Sequence, residues 1–151
     1  NEVVEDIDLS ALLESICHDM LDSGKDVDYE PHADVVRYSG KTNALRRAFN
    51  NIIENAVKYG KQARVSLVVN EKTYEVRVKD AGPGIPEAEC ENVFAPFYRV
   101  DAARSPEQAG TGLGLAVTRD IIRAHGGDVV CRNMTHEPGL VVVVRLPYVE
   151  N

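Results

Sequence analysis

Two glycine-rich clusters and one helix carry the residue types that could do chemistry. The first cluster is Asp80-Ala81-Gly82-Pro83-Gly84-Ile85 and the second is Gly110-Thr111-Gly112-Leu113-Gly114-Leu115. Glycines at alternate positions leave backbone N–H groups uncovered by side chains, and the second cluster runs straight into an apolar-periodic segment. That pattern sets N–H donors and the positive end of a helix dipole where a phosphate can sit. Upstream, the spacing predicts a helix over 42–59 whose Asn51, Asn55 and Lys58 gather on one polar stripe, with Tyr59 at its border. Asn is a mediocre helix former, so two of them in mid-helix carry a cost unless something uses their oxygens. Either cluster alone could be a glycine-rich surface turn; both together, preceded by Asn-x-x-x-Asn on a helix, point to a nucleotide-binding loop.

The elements that must position these residues can be read in order. Asp8 is placed to cap a helix whose apolar positions Leu9, Leu12, Leu13, Ile16 and Met20 or Leu21 follow a 3-to-4 spacing, with a stop near Ser23-Gly24. Short strands are expected at 27–30 and 35–38, divided by Pro31. In the central helix Leu45, Ala48, Phe49, Ile52, Ile53 and Ala56 form the apolar stripe. Val65, Leu67 and Val69, then Tyr74, Val76 and Val78, alternate with polar neighbours and predict a hairpin that delivers Asp80 to a strand tip. Pro86 opens a short helical turn. Residues 98–111 are small and polar without an apolar period, and a loop of that length in a compact domain is usually a lid or a binding loop. A helix over 115–124 stops at His125-Gly126-Gly127, and strands at 128–132 and 140–146 flank a turn at Pro138-Gly139. The run of four valines in the last strand predicts cover on both faces or nearly so.

Composition bounds the rest. A chain of 151 residues, 44% hydrophobic, suits a single domain with a self-sufficient core. A net charge of −7 argues against a nucleic-acid surface. Cys17, Cys90 and Cys131 are odd in number and widely spaced, which suggests reduced thiols and neither a disulfide framework nor a zinc site. No apolar run approaches the roughly 18 residues needed to span a bilayer, so direct membrane contact is not expected. Asn at position 1 in place of Met suggests a fragment of a longer protein.

Taken in order, Asn51-x-x-x-Asn55-Ala56-x-Lys58-Tyr59, Asp80-x-Gly82-x-Gly84, Phe94-x-x-Phe97-Tyr98-Arg99 and Gly110-x-Gly112-x-Gly114 resemble the N, G1, F and G2 boxes of bacterial sensor histidine kinases. Residues 40–146 resemble the catalytic and ATP-binding domain of those kinases, within the superfamily shared by gyrase, heat-shock chaperone, histidine kinase and mismatch-repair ATPases. The resemblance implies an α/β (α+β) two-layer sandwich, the Bergerat fold: a mixed sheet with helices on one face and ATP beneath a lid at about 95–112. It implies that Asp80 accepts a hydrogen bond from the adenine amino group, which would select adenine over guanine. Asn55, assisted by Asn51, would hold Mg²⁺, a cation that takes oxygen ligands. Lys58 would reach the phosphates and Tyr59 would flank the base. Arg99 and Arg104 in the lid would approach the β- and γ-phosphates, with Arg99 and Lys58 contributing to transfer. Gly82, Gly84, Ile85, Tyr98, Gly110, Thr111, Gly112, Leu113, Gly114 and Leu115 complete the implied nucleotide-contacting set, and Phe94 and Phe97 would anchor the lid by packing.

Such kinases phosphorylate a His on a separate dimeric helical hairpin, typically His followed by Glu or Asp with Pro a few residues on. His18-Asp19 lacks the Pro and His136-Glu137-Pro138 falls in a turn, so both read as surface residues. The implied partners are therefore ATP, a His-containing dimerisation domain of the same protein and a response regulator, with this domain in the cytoplasm beneath an inner-membrane sensor. Three readings stay open: the ATP-donating half of a kinase, an ATP hydrolase using Glu54 as base, and a nucleotide-switched docking module. An anti-sigma-type serine kinase is a relative of the first.

Overall fold

The structure is a computed structural model that describes residues 2–32, 34–96, 98 and 114–148. Strand β1 (Glu5–Asp8) leads directly into α1 (Leu9–Asp22), followed by β2 (Val27–Tyr29), β3 (Arg37–Gly40) and the central helix α2 (Thr42–Gly60). The hairpin β4 (Ala63–Val69) and β5 (Thr73–Lys79) comes next, then two 3₁₀ turns at Glu87–Glu89 and Asn92–Phe94. Helix α3 (Gly114–Ala124) and the hairpin β6 (Asp128–Asn133) and β7 (Leu140–Pro147) complete the order.

Five strands form one mixed sheet in the order β2-β4-β5-β7-β6, with β2 and β4 parallel and every other pair antiparallel. Register decides which side chains share a face. Val65 lies opposite Val78, Leu67 opposite Val76, Val76 opposite Val144 and Val144 opposite Val129, so these residues line one face. The apolar stripes of the helices close over that face, joining Leu13 and Ile16 of α1, Phe49, Ile52 and Ile53 of α2 and Ile122 of α3 in one core. The expected two-layer α/β sandwich is what the chain forms.

The other face carries no helical layer among the described residues. Val141 and Val143 point to it and are nevertheless 6% and 0% exposed. They are flanked in register by Lys79 and Arg132, and by Arg77 and Val130, and aliphatic stems such as those of Lys79, Arg77 and Arg132 can shield a valine set between them. The valine run is thus buried on both sides, but only one side is roofed by helices. Glu75 sits on the open face and stays buried because Arg77 and Arg145 both donate to it, Arg145 Nε at 2.9 Å from Oε1. Those hydrogen bonds, that of Arg145 foremost, hold its carboxyl below the usual carboxylate range against the opposing effect of burial.

Asp8 caps α1 as expected: its Oδ1 accepts from the backbone N–H of Ser10 at 3.1 Å and Ala11 at 3.3 Å, and also from Val36 at 3.2 Å. Helix α2 has no such residue of its own, since Lys41 at its N-cap makes no side-chain bond. The carboxylate of Glu2 performs that office, accepting from the N–H groups of Asn43 and Ala44 at 2.6 and 2.9 Å.

Candidate active site

Helix α2 ends where β5 ends, and that meeting builds the site. Ala81 N–H donates to the carbonyl of Gly60 at 3.1 Å. A Cβ added at Gly60 would fall 2.3 Å from Cβ of Asp80, so only glycine lets the carboxylate lie against the helix terminus. One oxygen of that carboxylate is fully engaged: Oδ1 accepts from Gly82 N–H and from Leu140 N–H, both at 3.0 Å. Oδ2 carries no hydrogen bond among the described residues. A fixed carboxylate with one free oxygen is an acceptor waiting for a donor.

On α2, Asn51 and Asn55 stand nine and five residues before Gly60, which is about 13 and 7 Å along the axis at the helical rise. The amide nitrogen of Asn51 donates to the carbonyl of Gly114 at 3.2 Å, tying α2 to the first turn of α3 and leaving the oxygen of its carboxamide uncommitted. Asn55 is half-buried and makes no side-chain hydrogen bond among the described residues. Lys58 is exposed, with Nζ 5.6 Å from the ring centre of half-buried Tyr59. Glu54 faces another way, with its Oε1 4.0 Å from Lys25 Nζ near the end of α1.

Several N–H groups of the first glycine cluster are spent within the protein. Gly82 donates to Asp80, and Ile85 donates to Oδ1 of Asn133 at 3.0 Å. Gly82 is glycine for closeness, since a Cβ there would lie 2.9 Å from both Gly60 Cα and Tyr59 O, and Gly84 takes φ +76. The contacts of Asn133 and of the turn residue Gly139 with this cluster were not anticipated from the sequence, because their partners stand 48 and about 60 residues away and no local pattern joins them.

Phe94 is buried, as expected of an anchor, and Arg119 of α3 lies 4.1 Å above its ring. Arg119 is itself only 8% exposed; it binds both oxygens of Glu91, donates to Val129 O at 2.9 Å and sets Nε 3.4 Å from Asp128 Oδ1. The hydrogen bond from Arg119 draws the Glu91 carboxyl below its ordinary range. Leu115 packs partly buried against the core and Tyr98 is half-buried. Phe97, Arg99, Arg104, Gly110, Thr111, Gly112 and Leu113 lie outside the described residues, and so does most of the expected lid at 95–112. His18 faces solvent beside Asp22, and His136 is exposed in the β6–β7 turn.

The described residues contain no cluster of three or more His, Cys, Asp or Glu side chains that could cage a metal. The donors that remain are the carboxamide oxygens of Asn51 and Asn55, and these fit a hard cation that shares its coordination with phosphate oxygens and water. A cavity of about 610 Å³ opens on the other side of Asp80, walled by Arg64, Lys79, Met134 and Glu137, and α2 contributes none of its lining. No helix among the described residues is long and apolar enough to cross a membrane.

A mixed sheet roofed on one face by helices, with an acidic strand tip seated on the end of an asparagine-bearing helix, defines a two-layer sandwich whose site lies at one end of the sheet. The chain belongs to the histidine kinase-, DNA gyrase B- and HSP90-like ATPase family, which it matches over residues 40–150. It is 41% identical to the sensor histidine kinase GtrS of Pseudomonas aeruginosa over 147 residues, covering 97% of this chain and 30% of that protein. It is 41% identical over 111 residues to the sensor histidine kinase WalK of Bacillus subtilis, covering 70% of this chain and 18% of that protein. The chain therefore spans less than a third of the length of these relatives. Among solved structures it resembles the mycobacterial sensor histidine kinase MprB, with a TM-score of 0.81 at 28% identity over 95% of this chain and 97% of that one. The ATP-binding domain of PrrB from Mycobacterium tuberculosis aligns with a TM-score of 0.78 at 28% identity over 97% and 98% of the two chains.

Proposed function

We propose that this chain is the ATP-binding catalytic portion of a sensor histidine kinase, holding Mg·ATP and presenting its γ-phosphate to a histidine on a separate dimerisation domain. One observation carries the reading: the Oδ2 of Asp80 and the carboxamide oxygens of Asn51 and Asn55, none of them hydrogen-bonded among the described residues, belong to one continuous piece of structure, joined through Gly60. Asp80 accepts from the adenine amino group, and guanine, with a keto oxygen there, leaves the carboxylate facing a lone pair. Asn55 and Asn51 offer oxygens to Mg²⁺, which when bound neutralises phosphate charge. Lys58 adds a cation on the same stripe, and Tyr59 flanks the base. Gly82, Gly84 and Ile85 shape the base-binding loop. Tyr98, Arg99, Arg104 and the 110–115 segment are assigned to the phosphate end on the pattern of the boxes, with Arg99 and Lys58 stabilising charge during transfer. We assign all 151 residues to one such domain, with its lid at about 95–112, on the cytoplasmic side of an inner-membrane sensor that signals to a response regulator.

The kinase reading is favoured over hydrolysis because the carboxylate that would serve as base, Glu54, is directed to Lys25 and away from the Asn55 stripe. Incubation with γ-labelled ATP should leave the isolated chain unlabelled, and adding a dimeric hairpin with the acceptor His should restore transfer. Stable labelling of His18 or His136, or rapid release of free phosphate without the hairpin, would contradict the assignment.

A further inference from the structure

The turn between β6 and β7 does more than reverse the chain. Both backbone groups of Ile85 are taken by one side chain: its N–H donates to Oδ1 of Asn133 at 3.0 Å, and its carbonyl accepts from Nδ2 of Asn133 at 2.7 Å. The carboxamide thereby pairs with the peptide as a neighbouring strand would. Gly84 admits this approach, since its φ is +76 and a Cβ there would stand 2.5 Å from Asn133 Oδ1. The same turn grips the other end of the loop. Asp80 N–H donates to Leu140 O at 2.9 Å, Leu140 N–H donates to Asp80 Oδ1 at 3.0 Å, and a Cβ on Gly139 would collide with Asp80 O at 2.2 Å. The turn is closed on itself by Met134 N–H donating to Gly139 O at 2.9 Å.

We propose that Asn133 is a positioning residue for base recognition, locking the Gly84–Ile85 peptide so that the loop opening at Asp80 presents one fixed edge to adenine. The inference rests on the assignment of Asp80 to the adenine amino group. Hydrogen-bond discrimination between bases needs donors and acceptors held near ideal distance and angle. A loop clamped only at Asp80, which also holds Gly82, leaves residues 83–85 free to follow either base. Asn133 touches no substrate in this account; it acts through Ile85.

The test compares Asn133→Ala and the isosteric Asn133→Asp with the unaltered chain, measuring ATP and GTP affinities in Mg²⁺ by calorimetry and thermal stability alongside. Asp keeps the acceptor but replaces the amide donor with an oxygen facing the Ile85 carbonyl. Both variants should bind ATP about 5- to 30-fold more weakly, as expected for a lost hydrogen-bonded pair. GTP affinity should stay within about twofold, so that the ATP-to-GTP ratio collapses; Asp should do at least as badly as Ala. Should Asn133→Ala fail to fold, Asn133→Ser, whose hydroxyl serves one Ile85 group at a time, should show an intermediate loss confined to ATP. Parallel losses for ATP and GTP, unchanged ratios, or an Asp variant that matches the unaltered chain would each overturn the proposal. An unaltered chain with no preference for ATP over GTP would instead overturn the Asp80 assignment beneath it.

Discussion

At the scale of single residues, the two oxygens of Asp80 do different work. Oδ1 is a structural acceptor for Gly82 and Leu140, and Oδ2 takes no hydrogen bond among the described residues. Asp80→Asn can keep the first role with its carbonyl oxygen, but it then places an NH₂ group where adenine also presents one. The variant should fold, with a melting temperature close to that of the parent, and bind ATP more weakly by about 1–3 kcal/mol on calorimetry. Unchanged affinity would remove the adenine assignment. Gly60→Ala tests the seating itself: a methyl 2.3 Å from the Asp80 side chain must push helix and strand tip apart, at a cost of about 1–3 kcal/mol in urea unfolding together with weaker ATP binding. The strand-tip place of Asp80 and the shared helix of Asn51 and Asn55 were legible in the sequence because each sits in a short motif with its own spacing. The contacts of Asn133 and Gly139 were not, since their meaning arises only when a turn far along the chain folds back on the first glycine cluster. Gly84 was legible as a glycine but not for its reason, which is room for the Asn133 carboxamide.

At the scale of elements, periodicity located α1, α2 and α3 to within a residue or two, and α1 with its Asp8 cap came out as expected. Strand β1 was invisible because its sequence, Glu-Asp-Ile-Asp, has one apolar residue and no alternation to read. Its partner was placed two residues early for the same reason: Val35 looks like strand but is 65% exposed, and pairing with β1 fixes the strand at Arg37–Gly40. Arg119 shows what joins elements once they exist, since it ties α3 to the Asn92–Phe94 turn and to β6. Arg119→Leu keeps an apolar contact for the Phe94 ring but leaves the Val129 carbonyl without its donor. We expect a loss of about 1–3 kcal/mol in urea unfolding. Amide exchange should quicken around residues 91–95 and in β6, while β4 and β5 stay protected. Uniform acceleration across the sheet would deny Arg119 this local role.

At the scale of the whole molecule, strand order was not derivable from pattern, because alternation fixes which face a residue takes and says nothing of its neighbour strand. A mixed sheet was expected only through the family resemblance, and its order β2-β4-β5-β7-β6 is known only from the structure. Once formed, the sheet has one face without helices among the described residues, and the Glu75–Arg77–Arg145 group lies there across β5 and β7. Because Glu75 titrates lower folded than unfolded, its contribution is complete above the unfolded carboxyl value of about 4.3 and disappears as pH falls through the folded value. Glu75→Gln should therefore be less stable than the parent by about 1–3 kcal/mol at pH 7, with the gap narrowing below about pH 4 in urea titrations. A gap independent of pH would show that charge is not its origin. One ATP must reach from Asp80 to the carboxamides of α2, and calorimetry with and without Mg²⁺ tests that span most directly. Mg²⁺ should strengthen ATP binding to the parent chain; Asn55→Ala should abolish that gain and leave the Mg²⁺-free affinity intact, while Asp80→Asn should weaken binding equally in both conditions. A parent chain that takes up no ATP, or an Asn55→Ala variant that keeps the full Mg²⁺ effect, would contradict it.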